Sequence, residues 1–301
     1  MGVMHHDEKV IDDVLVANLL NAQFPQWSAL PRSAVKSAGT DNALFRLGDD
    51  MVIRLPRVAW ATGQGAKEHR WLPELAPHLT TTISQPIALG APTSAYPWQW
   101  SIQRWIEGVN AIDEDVHDDL EFATNIGRFV REFHAVTVAG GPRAGAHNFG
   151  RGTPLADRNE ATLAAIDAST GYVDARFVRD AWLHALNLPV YRGDGVWVHG
   201  DLAPGNILVH RGQLAAVIDF GALGIGDPAV DMMIAWNYLS PRARQCFRQV
   251  VAVDENTWLR GQAWALTVAI IQLPYYYNTN RTIRDVALST IDAVLSDGAL
   301  R

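Results

Sequence analysis

The chain has 301 residues, 48% apolar and 19% charged, enough to bury a sizeable core in about two domains and too apolar for wholesale disorder. Its 25 basic and 32 acidic residues leave a net charge of −7, which argues against nucleic acid as a partner, because phosphate binding would need clustered Lys and Arg, and is congenial to a cationic substrate. The single cysteine, Cys246, excludes an intramolecular disulfide, and no apolar run reaches membrane-spanning length, so the chain reads as cytoplasmic and without a membrane partner.

Residues 10–20 space their apolar positions for an amphipathic helix with Asp12 and Asp13 near its start, where the helix dipole favours acids. Residues 33–57 read as a strand meander. Its strands 34–36, 43–47 and 51–55 are separated by a polar turn at 37–42 and by Gly48-Asp49-Asp50, a hairpin signal, and Pro56 stops the third. A turn of small and hydroxyl residues between strands can lay backbone N–H groups against phosphates. A helix opens at 65–72, where Pro73 kinks or divides it. Short strands come next, the last at 100–106, before Glu107-Gly108 breaks the pattern. The lobe boundary falls there: residues 1–106 form a strand-rich lobe with one main helix and residues 107–301 a mostly helical lobe, an α+β chain.

Residues 112–121 hold the acids Asp113, Glu114, Asp115, Asp118, Asp119 and Glu121, at the start of a helix whose Leu120, Ala123, Ile126, Phe129, Val130 and Phe133 share one face. Residues 139–153 are rich in Gly and Pro and read as a loop, and 155–168 and 174–188 as two helices. Then come three β-favouring runs at 196–198, 207–209 and 215–218. Asp227 as N-cap with Pro228 behind it starts another helix, and helical segments at 263–272 and 282–295 flank Leu273-Pro274-Tyr275-Tyr276-Tyr277.

Asp201, Asn206 and Asp219 each sit at the edge of one of these apolar runs. An Asp and an Asn in one loop, with a second Asp leaving the next strand, suit a hard cation that takes oxygen ligands and keeps several waters, as magnesium does. Turn chemistry also favours Asp and Asn, but it does not account for three such residues in this order.

The succession of the polar turn, Arg54, Glu68, His199-Gly200-Asp201, Asn206, Asp219-Phe220-Gly221 and Asp227-Pro228-Ala229-Val230-Asp231 resembles the aminoglycoside phosphotransferase family, whose fold is similar to that of protein kinases. The resemblance implies a bilobal α+β fold, an antiparallel sheet with one main helix in the first lobe, and ATP or GTP with Mg2+ as cofactors. It implies Asp201 as the catalytic group that orients the acceptor hydroxyl and takes its proton, and Asn206 and Asp219 as magnesium ligands. Gly200 and Gly221 would let backbone pass close to phosphates. On the nucleotide side it implies Ser37, Gly39, Thr40 and Asn42 in the polar turn, the ion pair of Arg54 with Glu68, and Gln103 and Trp105 at the end of the last strand. Kinases usually place Lys where Arg54 stands, and Arg57 is its rival. His199 reads as architectural. Asp231 reads as a substrate residue or as an acid tying its helix back to the catalytic loop.

Only five residues separate Gly221 from Asp227, too few for a segment that docks a polypeptide, so the acceptor is a small molecule. Candidate walls are Trp236, Asn237, Tyr238, Trp264, Gln272, Tyr275, Tyr276 and Tyr277, since aromatic faces attract sugar rings and cations. Acids at 113–121 with Asp157 and Glu160 would meet an amine-rich acceptor. An acidic cleft favours an aminoglycoside; an aromatic, neutral one favours a macrolide or another hydroxylated metabolite. The leading expectation is an antibiotic-resistance kinase moving the γ-phosphoryl group to an aminoglycoside hydroxyl. A macrolide kinase and an amino-alcohol or sugar kinase are its alternatives within the enzyme class. A kinase-like module that binds without turnover is the other class, disfavoured because Asp201, Asn206 and Asp219 are all present.

Overall fold

Helix α1 (Asp13–Gln23) begins where Asp12 accepts the Leu15 N–H and buries Val16, Leu19 and Leu20 on one face. The computed structural model describes residues 8–35 and 41–300, so Ser37, Gly39 and Thr40 lie outside the described residues. Strands β1 (Arg32–Val35), β2 (Asn42–Leu47) and β3 (Met51–Pro56) form the expected meander. With β5 (Pro86–Gly90) and β6 (Trp100–Arg104) they make a five-stranded antiparallel sheet of order β1-β2-β3-β6-β5. In β2 buried and half-buried residues alternate, and α1 packs Leu19 and Leu20 with Phe45, Leu47, Ile53 and Ile102 into a first core.

Helix α2 (Gln64–Leu75) continues through Pro73, which sits in its final turn, where only one backbone bond is lost. Its Leu72 and Leu75 leave the first core and join the second, so α2 links the lobes. A second link is β4 (Thr82–Ile83), which pairs in parallel with β10 (Gln213–Val217) in a sheet of order β4-β10-β9-β7, where β7 is Val109–Asn110 and β9 is Ile207–His210.

Helix α3 (Leu120–Ala135) is capped by Asp119 and buries Ala123, Ile126, Phe129, Val130 and Phe133. After it come α4 (Asn159–Ala168) and α5 (Ala175–Ala185). Strand β8 (Val196–Val198) pairs with β11 (Gly224–Gly226), so the short link after Gly221 is zipped onto the strand that leads into the loop at 199–206. Asp227 does cap the next segment, accepting the Ala229 N–H, but the first turns are a 3-10 stretch, Pro228–Met233, before the short α6 (Ile234–Asn237).

Helix α7 (Pro241–Val251) carries no sequence prediction, although Ala243, Cys246, Phe247, Val250 and Val251 recur at helical spacing on one face and Ser240 caps its start. Helix α8 (Glu255–Tyr276) is longer than expected and runs through Pro274, since burial along almost its whole length outweighs one missing hydrogen bond. It packs on α9 (Arg281–Asp297), which starts at the Asn280 cap. No helix among the described residues is long and apolar enough to cross a membrane.

Candidate active site

The catalytic-loop geometry is set by one buried carboxylate. Asp231, 1% exposed, accepts the Gly200 N–H on Oδ1 at 2.8 Å and the His199 N–H on Oδ2 at 3.0 Å, with His134 Nε2 also 3.0 Å from Oδ2. His199 Nδ1 accepts the Asp201 N–H at 3.2 Å, which leaves Nε2 to donate to the Ile218 carbonyl at 3.1 Å. His199 therefore fixes the loop and has no proton free for chemistry. Gly200 has φ +78°, and a Cβ there would lie 2.6 Å from the Ala222 carbonyl oxygen and 3.0 Å from Arg151 Cβ. Its freedom serves the packing of two loops against each other. Replacing Asp231 with Ala strands two buried N–H groups, and an unfolding free energy lower by about 3 kcal/mol is expected in denaturant titration. A loss within measurement error would show that the loop holds itself.

Asn206 donates Nδ2 to the Asp201 carbonyl at 2.9 Å and to Asp201 Oδ2 at 3.1 Å, which fixes the catalytic-loop carboxylate and leaves Asn206 Oδ1 as a free acceptor. Asp219, after β10, holds φ +61°, a left-handed conformation that costs energy in a residue with a side chain. Arg54 Nη2 bonds Asp219 Oδ1 at 2.9 Å, and Arg54 Nη1 bonds Glu68 Oε1 and Oε2 at 3.0 and 2.8 Å. Burial alone would push the Asp219 carboxyl up, but the Arg54 charge and hydrogen bond outweigh it and hold the group below the usual carboxylate range.

Glu68 is 1% exposed and fully used: Oε1 also accepts the Phe220 N–H at 2.8 Å and Oε2 the Gln103 Nε2 at 2.7 Å. One carboxylate thus joins α2, β3, β6 and the segment after Asp219. Glu68→Ala should leave Arg54 buried without a full partner and lower thermal stability together with nucleotide affinity. Arg54 retained in place and unchanged affinity would remove this role. Of the two rivals it is Arg54 that meets Glu68; Arg57 bonds through its backbone to Asp41 and Lys9.

A cleft of about 720 Å3 runs between the lobes and is lined by Asn42, Arg54, Gln103 and Trp105 from the first and by Asp201, Asn206 and Asp219 from the second. Arg46 stacks over Trp105, 4.1 Å from the ring centroid. At the other end Asn237, Gln272, Tyr275 and Tyr276 line the cleft beside Ala265, Val268, Ala269, Ile271, Ile283 and Val286.

Three expected substrate residues are elsewhere. Asp231 is spent beneath the loop. Trp236 is 2% exposed and donates Nε1 to Asp297 Oδ2 at 2.7 Å. The Tyr238 hydroxyl lies 2.6 Å from the Ala111 carbonyl and 2.9 Å from that of Glu114. Among the other candidate walls, Trp264 is buried and Tyr277 stacks on Tyr172 at 3.7 Å. Of the acids at 113–121 and Asp157 and Glu160, only Asp113 lines the cleft. Asp119 caps α3, and Asp115 and Asp118 pair with His117 and Arg242 on the surface.

Two arginines toward the α8–α9 end of the cleft were not among the predicted site residues. Arg151, in the loop read as plain, places Nη2 3.4 Å from Asp201 Oδ1. The loop is held by buried Asn148, which accepts the Gly145 N–H and donates to the carbonyls of Arg151 and Ala222. Arg158 lies over Trp264 and also faces the cleft. Nothing in their local sequence separates them from surface arginines.

A two-lobed fold in which an aspartate, an asparagine five residues on and a second aspartate meet below an arginine–glutamate pair defines a protein-kinase-like class of phosphotransferase. The model of the phosphotransferase enzyme family, APH, matches residues 35–264, and the chain belongs to that family. It is 25% identical over 226 residues to an aminoglycoside 3'-phosphotransferase of Escherichia coli, over 70% of this chain and 73% of that protein. A second Escherichia coli protein of the same name is 28% identical over 132 residues, 42% of this chain, and the match spans about half, 47%, of that relative's length. Among solved structures, the GDP and kanamycin complex of APH(2")-IIia superposes with a TM-score of 0.70 at 20% identity, covering 95% of this chain and 99% of that one. Macrolide 2'-phosphotransferase MphH from Brachybacterium faecium, as apoenzyme, gives 0.59 at 21% identity, covering 92% and 97%. The bilobal kinase-like fold that the sequence resemblance implied is the fold present.

Proposed function

We propose that the protein transfers the γ-phosphoryl group of ATP or GTP to a hydroxyl of a small molecule, with residues 1–106 as the nucleotide-binding lobe and 107–301 as the catalytic and acceptor lobe. The observation that carries the reading is the meeting of Asp201, Asn206 and Asp219 at one cleft between the lobes. Asp201, steered by Asn206, orients the acceptor hydroxyl and receives its proton as the oxygen attacks phosphorus. Arg54, held by Glu68, faces the nucleotide phosphates; Asn42 and Trp105 contact the nucleotide, Gln103 acts by holding Glu68, and the turn residues Ser37, Gly39 and Thr40 complete the phosphate cradle.

Among the described residues no cluster of three or more His, Cys, Asp or Glu could hold a metal by itself. The donors present nevertheless fit magnesium, which binds through one or two carboxylate or amide oxygens plus substrate phosphates and water. Asn206 Oδ1 and the Asp219 carboxylate would hold it, and the chemistry it would supply is neutralisation of charge on the nucleotide phosphates.

The acceptor is a large, mostly apolar hydroxylated molecule, a macrolide or another hydroxylated metabolite, in preference to a polycationic aminoglycoside. The names of the relatives point to both classes. The lining supports the first: aliphatic side chains of α8 and α9, two tyrosines and two arginines, with the acid cluster, Asp113 excepted, turned away. Asn237 Oδ1 is buried and without a partner while Nδ2 donates to the Leu202 carbonyl, so it would accept a hydrogen bond from the bound acceptor. The β11–β8 pairing closes the space in which a polypeptide would dock. A nucleotide-consumption screen against aminoglycosides, macrolides, amino alcohols and apolar hydroxylated acids tests this. Turnover with an apolar hydroxylated compound is expected; turnover confined to aminoglycosides would overturn the acceptor assignment, and none with any compound would favour a module that binds without turnover.

A further inference from the structure

The acceptor half of the cleft holds two guanidinium groups against one nearby carboxylate. Arg151 has its Nη2 3.4 Å from Asp201 Oδ1 and its Nη1 3.9 Å from Met233 Sδ, a weak acceptor. Arg158 has only neutral partners. Its Nε donates to Thr267 Oγ1 at 3.2 Å, its Nη1 to the Phe149 carbonyl at 3.2 Å, and its plane lies 5.2 Å from the centre of the Trp264 ring. No carboxylate among the described residues pairs with Arg158, and Asp113, the acid of the 113–121 cluster that reaches the cleft, forms no ion pair with either arginine.

A half-buried guanidinium without a counter-charge is costly, and a second one beside it adds repulsion. Burial and the Arg151 charge lower the Arg158 pKa to about 9, which still leaves it charged at neutral pH. An oxyanion between the two would relieve both costs, and the planar fork of arginine matches carboxylate and phosphate oxygens. We propose that Arg151 and Arg158 form an oxyanion subsite beside Asp201, and that the acceptor carries, besides its reacting hydroxyl, a carboxylate or phosphate group that seats there. The identity of the group as part of an acceptor rests on the phosphotransferase reading. Arg158 is anchored to α8 through Thr267 and to the loop at Phe149, both on the acceptor side and away from Arg54. The alternative source of the oxyanion is the phosphoryl group in transit.

The test is calorimetric titration of inorganic phosphate into the protein saturated with Mg·ADP, at constant ionic strength, for wild type, Arg158→Gln and Arg158→Lys. Saturable phosphate binding is expected, weakened about tenfold or more by Arg158→Gln and in part restored by Arg158→Lys. Absence of saturable binding, or equal affinity in Arg158→Gln with its melting temperature intact, overturns the subsite. Should Arg158→Gln fail to fold, the charge-preserving Arg158→Lys and the wild-type titration still decide. Cholate and its methyl ester, both hydroxylated and apolar, separate the sources: tighter binding of cholate that disappears in Arg158→Gln is expected. No preference for cholate assigns the oxyanion to the transferred phosphoryl group and overturns the acceptor claim. Mg·ADP binding is read separately, so its failure would sink the phosphotransferase reading while the difference between wild type and Arg158→Gln still reports on the subsite.

Discussion

Asp201→Asn lowers kcat by about a hundredfold to ten-thousandfold, the range for loss of a positioned proton acceptor, while Mg·ADP binds as in wild type. Asparagine keeps the shape and the contact with Asn206 Nδ2, which reaches Asp201 Oδ2 at 3.1 Å, but it cannot take the hydroxyl proton. The backbone frame is independent of the side chain, since His199 and Asp231 hold the loop through main-chain N–H groups. Single-turnover kinetics with nucleotide titration would separate the two effects. Wild-type turnover in this variant would sink the mechanism; lost nucleotide binding would mean that Asp201 belongs to the nucleotide site instead.

Asp219→Asn is expected to weaken magnesium-dependent nucleotide binding by about a hundredfold, as for removal of a charge at the metal, with a smaller effect on binding measured without the metal. The loss has a pH signature. In the folded protein the Asp219 carboxyl lies below the usual range because Arg54 favours its charged form over the cost of burial. Its contribution to stability is therefore full above the carboxylate value of the unfolded chain, and it is lost as the pH falls through the lowered folded value. Removing the carboxylate should flatten the acid limb of the stability profile in that window, measured by melting temperature against pH. An unchanged acid limb, or unchanged magnesium dependence, would take Asp219 out of this role.

The elements that read most clearly from sequence are those whose partners are local. The β1–β2–β3 meander and the buried face of α3 come from period alone, and Asp227 caps the segment that it precedes. The misread element is one in which tertiary packing overrides local preference, α8 passing through Pro274 under burial, whereas α7 carries a helical apolar face in its own sequence and packs it on α3. The same division runs through the site. Arg54 and Glu68 are separated by fourteen residues yet pair as expected, because the family resemblance supplies their order. Trp236 and Tyr238 read from sequence as substrate residues, and Asp231 as either a substrate residue or a tie to the loop at 199–201, because polar and aromatic side chains near such a loop serve equally as supports or as walls, and their hydrogen bonds decide which.

By itself the sequence determined the family, the two lobes and the trio Asp201, Asn206 and Asp219, because each lies in a short segment whose turn and strand chemistry is complete within some twenty residues. Only the tertiary structure decided the character of the acceptor cleft. Its wall is assembled from the loop carrying Arg151, the turn before α4 carrying Arg158, and facing sides of α8 and α9. Which side of a helix or loop faces a cleft depends on packing between distant segments, and that turned the acid cluster apart from Asp113 out to solvent and the two arginines in.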